Sequence, residues 1–296
     1  MLGILAVSGL LAAPSMTSAA SFVLEGDYLK VGVNYNGALI NDGLSNTGIN
    51  YDITGTKTWP GYDFLTPGTP WQLYSIGVGG SYSPISYFSG GGAGLTTTDT
   101  SSGTTLSALT SGNVTVGSTN VGYSQTISFD TTKAIINFRS IITNTGNSTL
   151  TNLAFGTSLD PDQDVYAGGG YATTNDIPAA NLVTATAPVT DWTIGIRDLT
   201  GGGIPTVLAF ATWPDNPYAM LNGGVSANLA PYADETINMA WAKADLGAGE
   251  SWTLDYQYSI AETKDTVVGA VPEPSTFILL GAGLAGLAFA RERSKK

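Results

Sequence analysis

Apolar and polar residues alternate over short stretches along most of the chain. Turn-forming Gly, Asn, Asp, Ser and Pro residues separate these stretches, and the 3.6-residue spacing of an amphipathic helix is nearly absent. One face of a predicted strand at residues 250–260 carries Trp252, Leu254, Tyr256 and Tyr258. The pattern predicts an all-β protein in which residues 21–270 form a single large antiparallel β-sandwich, with two smaller domains as the alternative.

Turn signals connect several of the predicted strands. Residues 130–133 are expected to join strands at 122–129 and 134–142 as a hairpin loop. The dipeptide Asn36-Gly37 predicts a tight type I′ turn, with the returning strand at residues 38–40.

The first 20 residues differ from the alternating region. They are apolar up to Ala13 and end in the small residues Ser18-Ala19-Ala20, which suit signal peptidase. This pattern predicts a signal peptide at residues 1–20. The positively charged start of such a signal is missing, since the first basic residue is Lys30. Either the true start codon lies upstream, which we expect, or the signal is atypical.

The last 26 residues, 271–296, combine three features in a fixed order. Pro272, Glu273 and Pro274 come first, and the two prolines favour an extended segment that displays the glutamate. An uncharged apolar run at residues 276–290 follows, which as a helix is about 22 Å long and spans a membrane only marginally. The chain then ends in a basic tail that keeps this end cytoplasmic, with positive charges at Arg291, Arg293, Lys295 and Lys296.

These features together resemble the PEP-CTERM sorting signal of Gram-negative bacteria. The resemblance implies a membrane-embedded exosortase as transient partner, cleavage at or near residues 272–274, and export in bacteria that make exopolysaccharide. Residues preceding 271 would lie on the outer side of the membrane, in the envelope or the extracellular matrix. A plain single-pass anchor or a buried core helix is the alternative for this segment. The turn-rich strand pairs, especially residues 247–254, also resemble the β-supersandwich domains of carbohydrate-active proteins.

Composition excludes several classes of function. Cysteine and histidine are both absent, which removes disulfides, thiolate and imidazole metal sites, and Ser-His-Asp catalysis. Residues 21–270 contain 7 Lys and Arg against 21 Asp and Glu, a net charge of −14. Nucleic acid is not an expected partner, because the exported part has no basic patch that could displace counterions from phosphates.

One acidic segment could bind a metal ion. Asp160, Asp162 and Asp164 have a spacing of two, and three such carboxylates converge when a loop curls around a hard cation. Calcium takes six to eight oxygen ligands, and Asn175 and Asp176 could complete the shell after the bend at residues 168–170. The segment departs from an EF-hand, so the prediction is a calcium-binding loop on a β scaffold. A solvated acidic turn is the alternative.

Catalysis would require a carboxylate pair of the glycoside-hydrolase type. Asp63 and Asp215 are the first candidates, because both lie in segments rich in Trp, Tyr and Pro. The same aromatic residues could instead bind sugar rings without any catalytic acid, or simply plug the ends of the sandwich. We expect a non-enzymatic exported protein, with a carbohydrate-binding module or a glycoside-active enzyme as the alternative.

Overall fold

The structure is a computed structural model that describes residues 21–41, 47–59, 61, 63–87, 90–212, 214–223 and 233–269. The predicted signal peptide at residues 1–20 lies outside the described residues. So do the sorting motif, the apolar run and the basic tail at residues 271–296. Within the described ranges, no helix is long and apolar enough to cross a membrane.

The regular structure of the described residues consists of antiparallel strands, two short α-helices and two 3₁₀ helices, Val165–Ala167 and Phe210–Thr212. The strands are β1 (Phe22–Glu25), β2 (Leu29–Val33), β3 (Ile49–Tyr51), β4 (Gln72–Val78), β5 (Ser81–Ser86), β6 (Leu95–Asp99), β7 (Thr105–Val116), β8 (Thr119–Asp130), β9 (Ile135–Thr143), β10 (Leu150–Leu159), β11 (Thr174–Ala179), β12 (Leu182–Thr186), β13 (Thr193–Asp198), β14 (Ile204–Ala209), β15 (Glu235–Leu246) and β16 (Ser251–Ala261). The α-helices are α1 (Pro217–Asn222) and α2 (Lys264–Gly269).

The strands form three sheets. A five-stranded sheet has the order β14-β15-β10-β4-β5, and an eight-stranded sheet has the order β11-β12-β13-β16-β9-β8-β7-β6. The third, three-stranded sheet has the order β1-β2-β3. The two larger sheets face each other through their aromatic residues: Tyr74 of β4 stacks on Tyr123 of β8 at 5.0 Å between ring centroids. Trp241 of β15 likewise meets Tyr256 of β16 at 5.4 Å. The predicted antiparallel β-sandwich is therefore confirmed for the described residues.

Strand β16 occupies the middle of the eight-stranded sheet, between β13 and β9. The predicted apolar face is confirmed, since Leu254, Tyr256 and Tyr258 are fully buried and Trp252 is half-buried at the end of the strand. Each such side chain contributes about 1.5–3 kcal/mol through burial. The alternation visible in the sequence thus fixes which face of this central strand packs into the core.

Two local predictions had different outcomes. The loop at residues 130–133 connects β8 to β9 as predicted. The returning strand at residues 38–40 is wrong, because this segment has no strand conformation. Its side chains are all fully buried, and the Leu39 amide donates a hydrogen bond to the Gln72 side chain, 2.7 Å away, instead of to a neighbouring strand. Burial of three apolar side chains therefore replaced hairpin pairing here.

The two helices escape sequence prediction because six residues are too few to show a helical period. Helix α1 is capped by Asn216, whose side chain accepts a hydrogen bond from the Tyr218 amide at 3.0 Å. Its Met220 is fully buried in a cluster with Leu73 of β4 and with Trp71, which precedes that strand. Helix α2 contacts β12, β13 and β16 of the eight-stranded sheet.

Candidate metal centre

The acidic segment 160–164 follows directly from the end of β10. Its backbone is tied to the protein interior, because the Asp160 amide donates to the Trp71 carbonyl at 3.1 Å and the Asp162 amide donates to the Phe64 carbonyl at 2.9 Å. The side chains of Asp160, Asp162 and Asp164 are only 3, 2 and 1% exposed. The three acidic side chains are therefore enclosed by the protein.

Asp164 fastens one loop of the protein to another. Its carboxylate accepts hydrogen bonds from the backbone amides of Val189 and Thr190, and from the Thr190 hydroxyl at 2.6 Å. Its backbone carbonyl also accepts from the Gly169 amide at 2.9 Å. The donors of Val189 and Thr190 hold the loop between β12 and β13 against the acidic segment.

Asp160 and Asp162 lack such partners. Each has a buried Oδ1 atom without a hydrogen-bond donor among the described residues, and neither residue belongs to an ion pair there. Burial, together with the nearby charge of Asp234, raises the pKa of Asp160 to about 8. Burial and the charges of Asp160 and Asp234 raise the pKa of Asp162 to about 9. The interior thus opposes two negative charges that nothing in the described protein neutralises.

Two further residues at this place were missed by the sequence analysis. Gln163 is fully buried, and its Nε2 donates to the carbonyls of Ala185 and Trp192, while its Oε1 has no donor. Asp234 is exposed, and partial burial raises its pKa. It arrives from 70 residues further along the chain, next to the Thr173 amide that donates to the Ala233 carbonyl at 3.1 Å. No spacing in the sequence indicates this approach.

Asn175 and Asp176 lie on β11 and make other contacts. The buried Asn175 side chain accepts from the Thr173 hydroxyl at 3.0 Å and donates to Glu235 at 3.4 Å. Asp176 forms an ion pair with Lys264 of α2 at 2.7 Å. Within the described ranges, no three Asp, Glu, His or Cys side chains are grouped so that they could hold a metal ion. Backbone carbonyls, an amide oxygen or water would have to supply the further ligands of a cation at this place.

The two carboxylates proposed for catalysis make contacts in different parts of the fold. Asp63 is 5% exposed, and its carboxylate accepts hydrogen bonds from four backbone amides and from the Asn50 side chain, at 2.7–3.2 Å. It thereby holds the chain around β3 together. Asp215 precedes α1 and meets Tyr82 of β5, and its pKa is raised by burial.

A shallow groove of about 530 Å³ crosses the outer face of the eight-stranded sheet. It is lined by residues of β8, β9 and β16 and by Leu199 of the loop that follows β13; the strand residues include Thr126, Ser128, Asn137, Arg139 and Asp255. Arg139 and Asp255 are cross-strand neighbours, and the Nε and Nη2 atoms of Arg139 contact the two carboxylate oxygens of Asp255 at 3.0 and 3.2 Å. The loop wall is fastened to β16, because the Leu199 amide donates to the Asp255 carbonyl at 2.9 Å.

Comparison with known protein families identifies a motif in the C-terminal segment of this sequence. Residues 270–294 match the PEP-CTERM protein-sorting motif, which confirms the resemblance found at Pro272, Glu273 and Pro274. The match covers a small part of the chain and leaves the β-sandwich unassigned. No curated protein sequence is significantly similar to this chain.

Several larger solved structures are similar to the chain at very low sequence identity. An α-galactosidase from Lactobacillus brevis is 9% identical, with a TM-score of 0.42 over 81% of this chain and 39% of that protein. A TPR-domain containing protein from Parabacteroides distasonis is 11% identical, with a TM-score of 0.49 over 86% and 49%. A heparan sulfate lyase HepC mutant from Pedobacter heparinus is 10% identical, with a TM-score of 0.43 over 86% and 37%. The chain thus spans less than half the length of each of these proteins.

Proposed function

We propose that this chain, which carries a PEP-CTERM sorting motif at residues 270–294, is a non-enzymatic β-sandwich protein delivered to the Gram-negative cell envelope or exopolysaccharide matrix. The match to the sorting motif carries the proposal. An exosortase in the membrane would recognise the segment Pro272-Glu273-Pro274, while the basic tail from Arg291 to Lys296 stays on the cytoplasmic side. Cleavage near the motif would then release the sandwich domain from its short membrane segment.

The mass of the mature protein tests this processing. We expect the exported form to lack residues 291–296 and the apolar run before them. A Glu273→Gln variant alters the motif without changing its length, and we expect it to accumulate as the membrane-bound precursor. An exported wild-type protein that keeps residues 291–296 would overturn the proposal.

The non-enzymatic role is supported by the engagement of Asp63. Its carboxylate is buried and accepts five hydrogen bonds, from residues at β3 and from its own loop, so it is poorly placed to exchange a proton with a substrate. Hydrolysis of a matrix polysaccharide by the purified domain, abolished by Asp215→Asn, would contradict this role.

Calcium is the cation proposed for the acidic loop. Asp160 and Asp162 would each supply the oxygen that now lacks a donor, and the Gln163 Oε1 atom is a third buried oxygen in the same loop. Keeping both carboxylates ionised at neutral pH without a cation costs on the order of a few kcal/mol, given how far their pKa values are raised. A divalent cation removes that cost, and a loop of hard oxygen ligands suits calcium.

The remaining predicted ligands would contribute less directly. Asp164 already holds residues 189 and 190, and Asp176 is paired with Lys264. In this arrangement Asp164 shapes the loop, Asn175 lies on the adjoining strand, and Asp160 and Asp162 bind the ion. Backbone carbonyls and water would complete the shell.

The groove on the eight-stranded sheet favours polysaccharide binding as a second candidate function. Its hydroxyl, amide and guanidinium groups can donate to and accept from sugar hydroxyls, and Leu199, which is 39% exposed, offers an apolar contact. The charges of Arg139 and Asp255 are paired with each other, so the groove suits a neutral sugar chain. The net charge of −14 on residues 21–270 would repel an acidic polysaccharide.

A further inference from the structure

Helix α2 is the last described element before the sorting motif, and a buried arginine fastens its end. Arg197 of β13 is 7% exposed, and its Nη2 donates to the carbonyls of Val267 at 3.2 Å and Val268 at 2.9 Å. These carbonyls lie in the last turn of the helix, where they lack partners within the helix itself. The contact gives the guanidinium two acceptors and closes the helix end.

Two other contacts hold α2 on the sheet. Lys264 at its start is paired with Asp176 of β11 at 2.7 Å. Val267 is 1% exposed and lies over Gly195 of β13, where a Cβ atom would come within 2.7 Å of the valine methyl group. The helix is thus attached at its start, its middle and its end.

Chain geometry makes this attachment important for sorting. Pro272 follows Gly269 by three residues, so at full extension the motif lies at most about 11 Å from the end of α2. The apolar run begins at Thr276, at most about 25 Å away. A domain of 250 residues has a radius of gyration of about 18 Å. A membrane enzyme must therefore reach the motif close beside a bulky folded domain.

We propose that α2 is a strap, fastened by the positioning residue Arg197, which holds the sorting motif close to the folded domain and slows its processing. Release of the strap frees residues 264–269 and lengthens the reach of the motif by up to about 20 Å. This inference rests on the proposed processing by exosortase. The domain then controls how readily its own sorting motif is cut.

Pulse-chase conversion of precursor to mature protein, in cells that contain an exosortase, tests the strap. Arg197→Met removes the fastening. Insertion of Gly-Ser-Gly-Ser-Gly-Ser between Gly269 and Ala270 lengthens the connection while leaving Arg197 intact. We expect each change to speed conversion at least twofold, and the combined variant to be no faster than the faster single one. Lys243→Met, which removes a basic side chain on β15 of the five-stranded sheet, should convert at the wild-type rate.

The outcomes separate the strap from the sorting function. Wild-type processing with unchanged rates in both variants overturns the strap and leaves the proposed function standing. Absence of wild-type processing overturns the proposed function and the strap with it. If Arg197→Met lowers the melting temperature of the domain severely, the insertion variant decides alone, because it replaces no residue of the described domain.

Discussion

The Thr190 hydroxyl donates a hydrogen bond of 2.6 Å to the carboxylate of Asp164, while Asp162, two residues earlier, has a buried oxygen without a donor. Asp160, Asp162 and Asp164 are evenly spaced in the sequence but have different roles in the structure. The last one fastens a loop, and the first two remain as a buried pair whose charges are not neutralised by any described ion pair. This division determines how each should respond to substitution, calcium and pH.

Calcium should stabilise the domain through the buried pair. At a hundredfold excess over its dissociation constant, a single bound ion adds about 2.7 kcal/mol, which corresponds to about 5–10 °C in the melting temperature of a domain of this size. Thermal melts in calcium and in EDTA measure this shift. We expect Asp162→Asn to abolish the shift and Asp245→Asn, at an exposed position of β15, to keep it. Equal melting temperatures in calcium and EDTA would refute the site.

The calcium-free protein should become less stable as the pH rises. The pKa values of Asp160 and Asp162 are raised in the folded state, to about 8 and about 9, so folding favours their protonated forms. Their contribution is fully present below about pH 4, where the unfolded acids are also protonated, and it declines as the pH approaches 9. Urea unfolding in EDTA between pH 4 and 9 measures the slope. Asp160→Asn combined with Asp162→Asn should flatten it.

Asp164 should matter for stability with or without calcium. Asp164→Ala leaves the Val189 and Thr190 amides without their acceptor, and we expect a loss of about 2–4 kcal/mol in the free energy of unfolding. Thr190→Ser keeps the hydroxyl donor and serves as the matched control, with a loss below about 1 kcal/mol. Denaturation in EDTA isolates this structural contribution. A loss from Asp164→Ala that appears only when calcium is present would assign the residue to the ion instead.

Polysaccharide binding should depend on the paired charges in the groove. Native electrophoresis through gels containing a neutral glucan should retard the domain, and gels containing a polyuronate should not. Arg139→Gln combined with Asp255→Asn should remove the retardation. The ion pair is exposed, so its loss should cost at most about 1 kcal/mol. Asp245→Asn is the control on the other sheet, and equal mobility of all variants in the glucan gel would argue against the groove.

Sequence patterns predicted strands and loops correctly where adjacent residues determine the local structure. The alternation in β16 and the loop at residues 130–133 depend on adjacent residues, and both were confirmed. Residues 38–40 follow a favourable turn dipeptide but fill the core, because the Gln72 side chain satisfies the Leu39 amide from 33 positions away. Such long-range compensation leaves no local signal.

The candidate site shows the same limit. The sequence located the buried acids Asp160 and Asp162 through their spacing, but it could not separate them from Asp164, whose partners lie 25 and 26 positions further on. Asp234 was missed because the bridge between Thr173 and Ala233 brings it close. The sorting motif was predicted from the sequence and is confirmed. Its identification requires only the order of its segments along the chain, without any long-range contact.

The position of β16 in the middle of the eight-stranded sheet determines when that sheet can be completed. Strand β9 at residues 135–143 must wait for residues 251–261 before its open edge is covered, and so must β13. Pairing over such sequence separations is slow and comes late in folding. The sheet of this exported chain can therefore close only after residues 251–261 are available for pairing, and these residues end about ten positions ahead of the sorting motif. Almost the whole domain must be present before its larger sheet is complete.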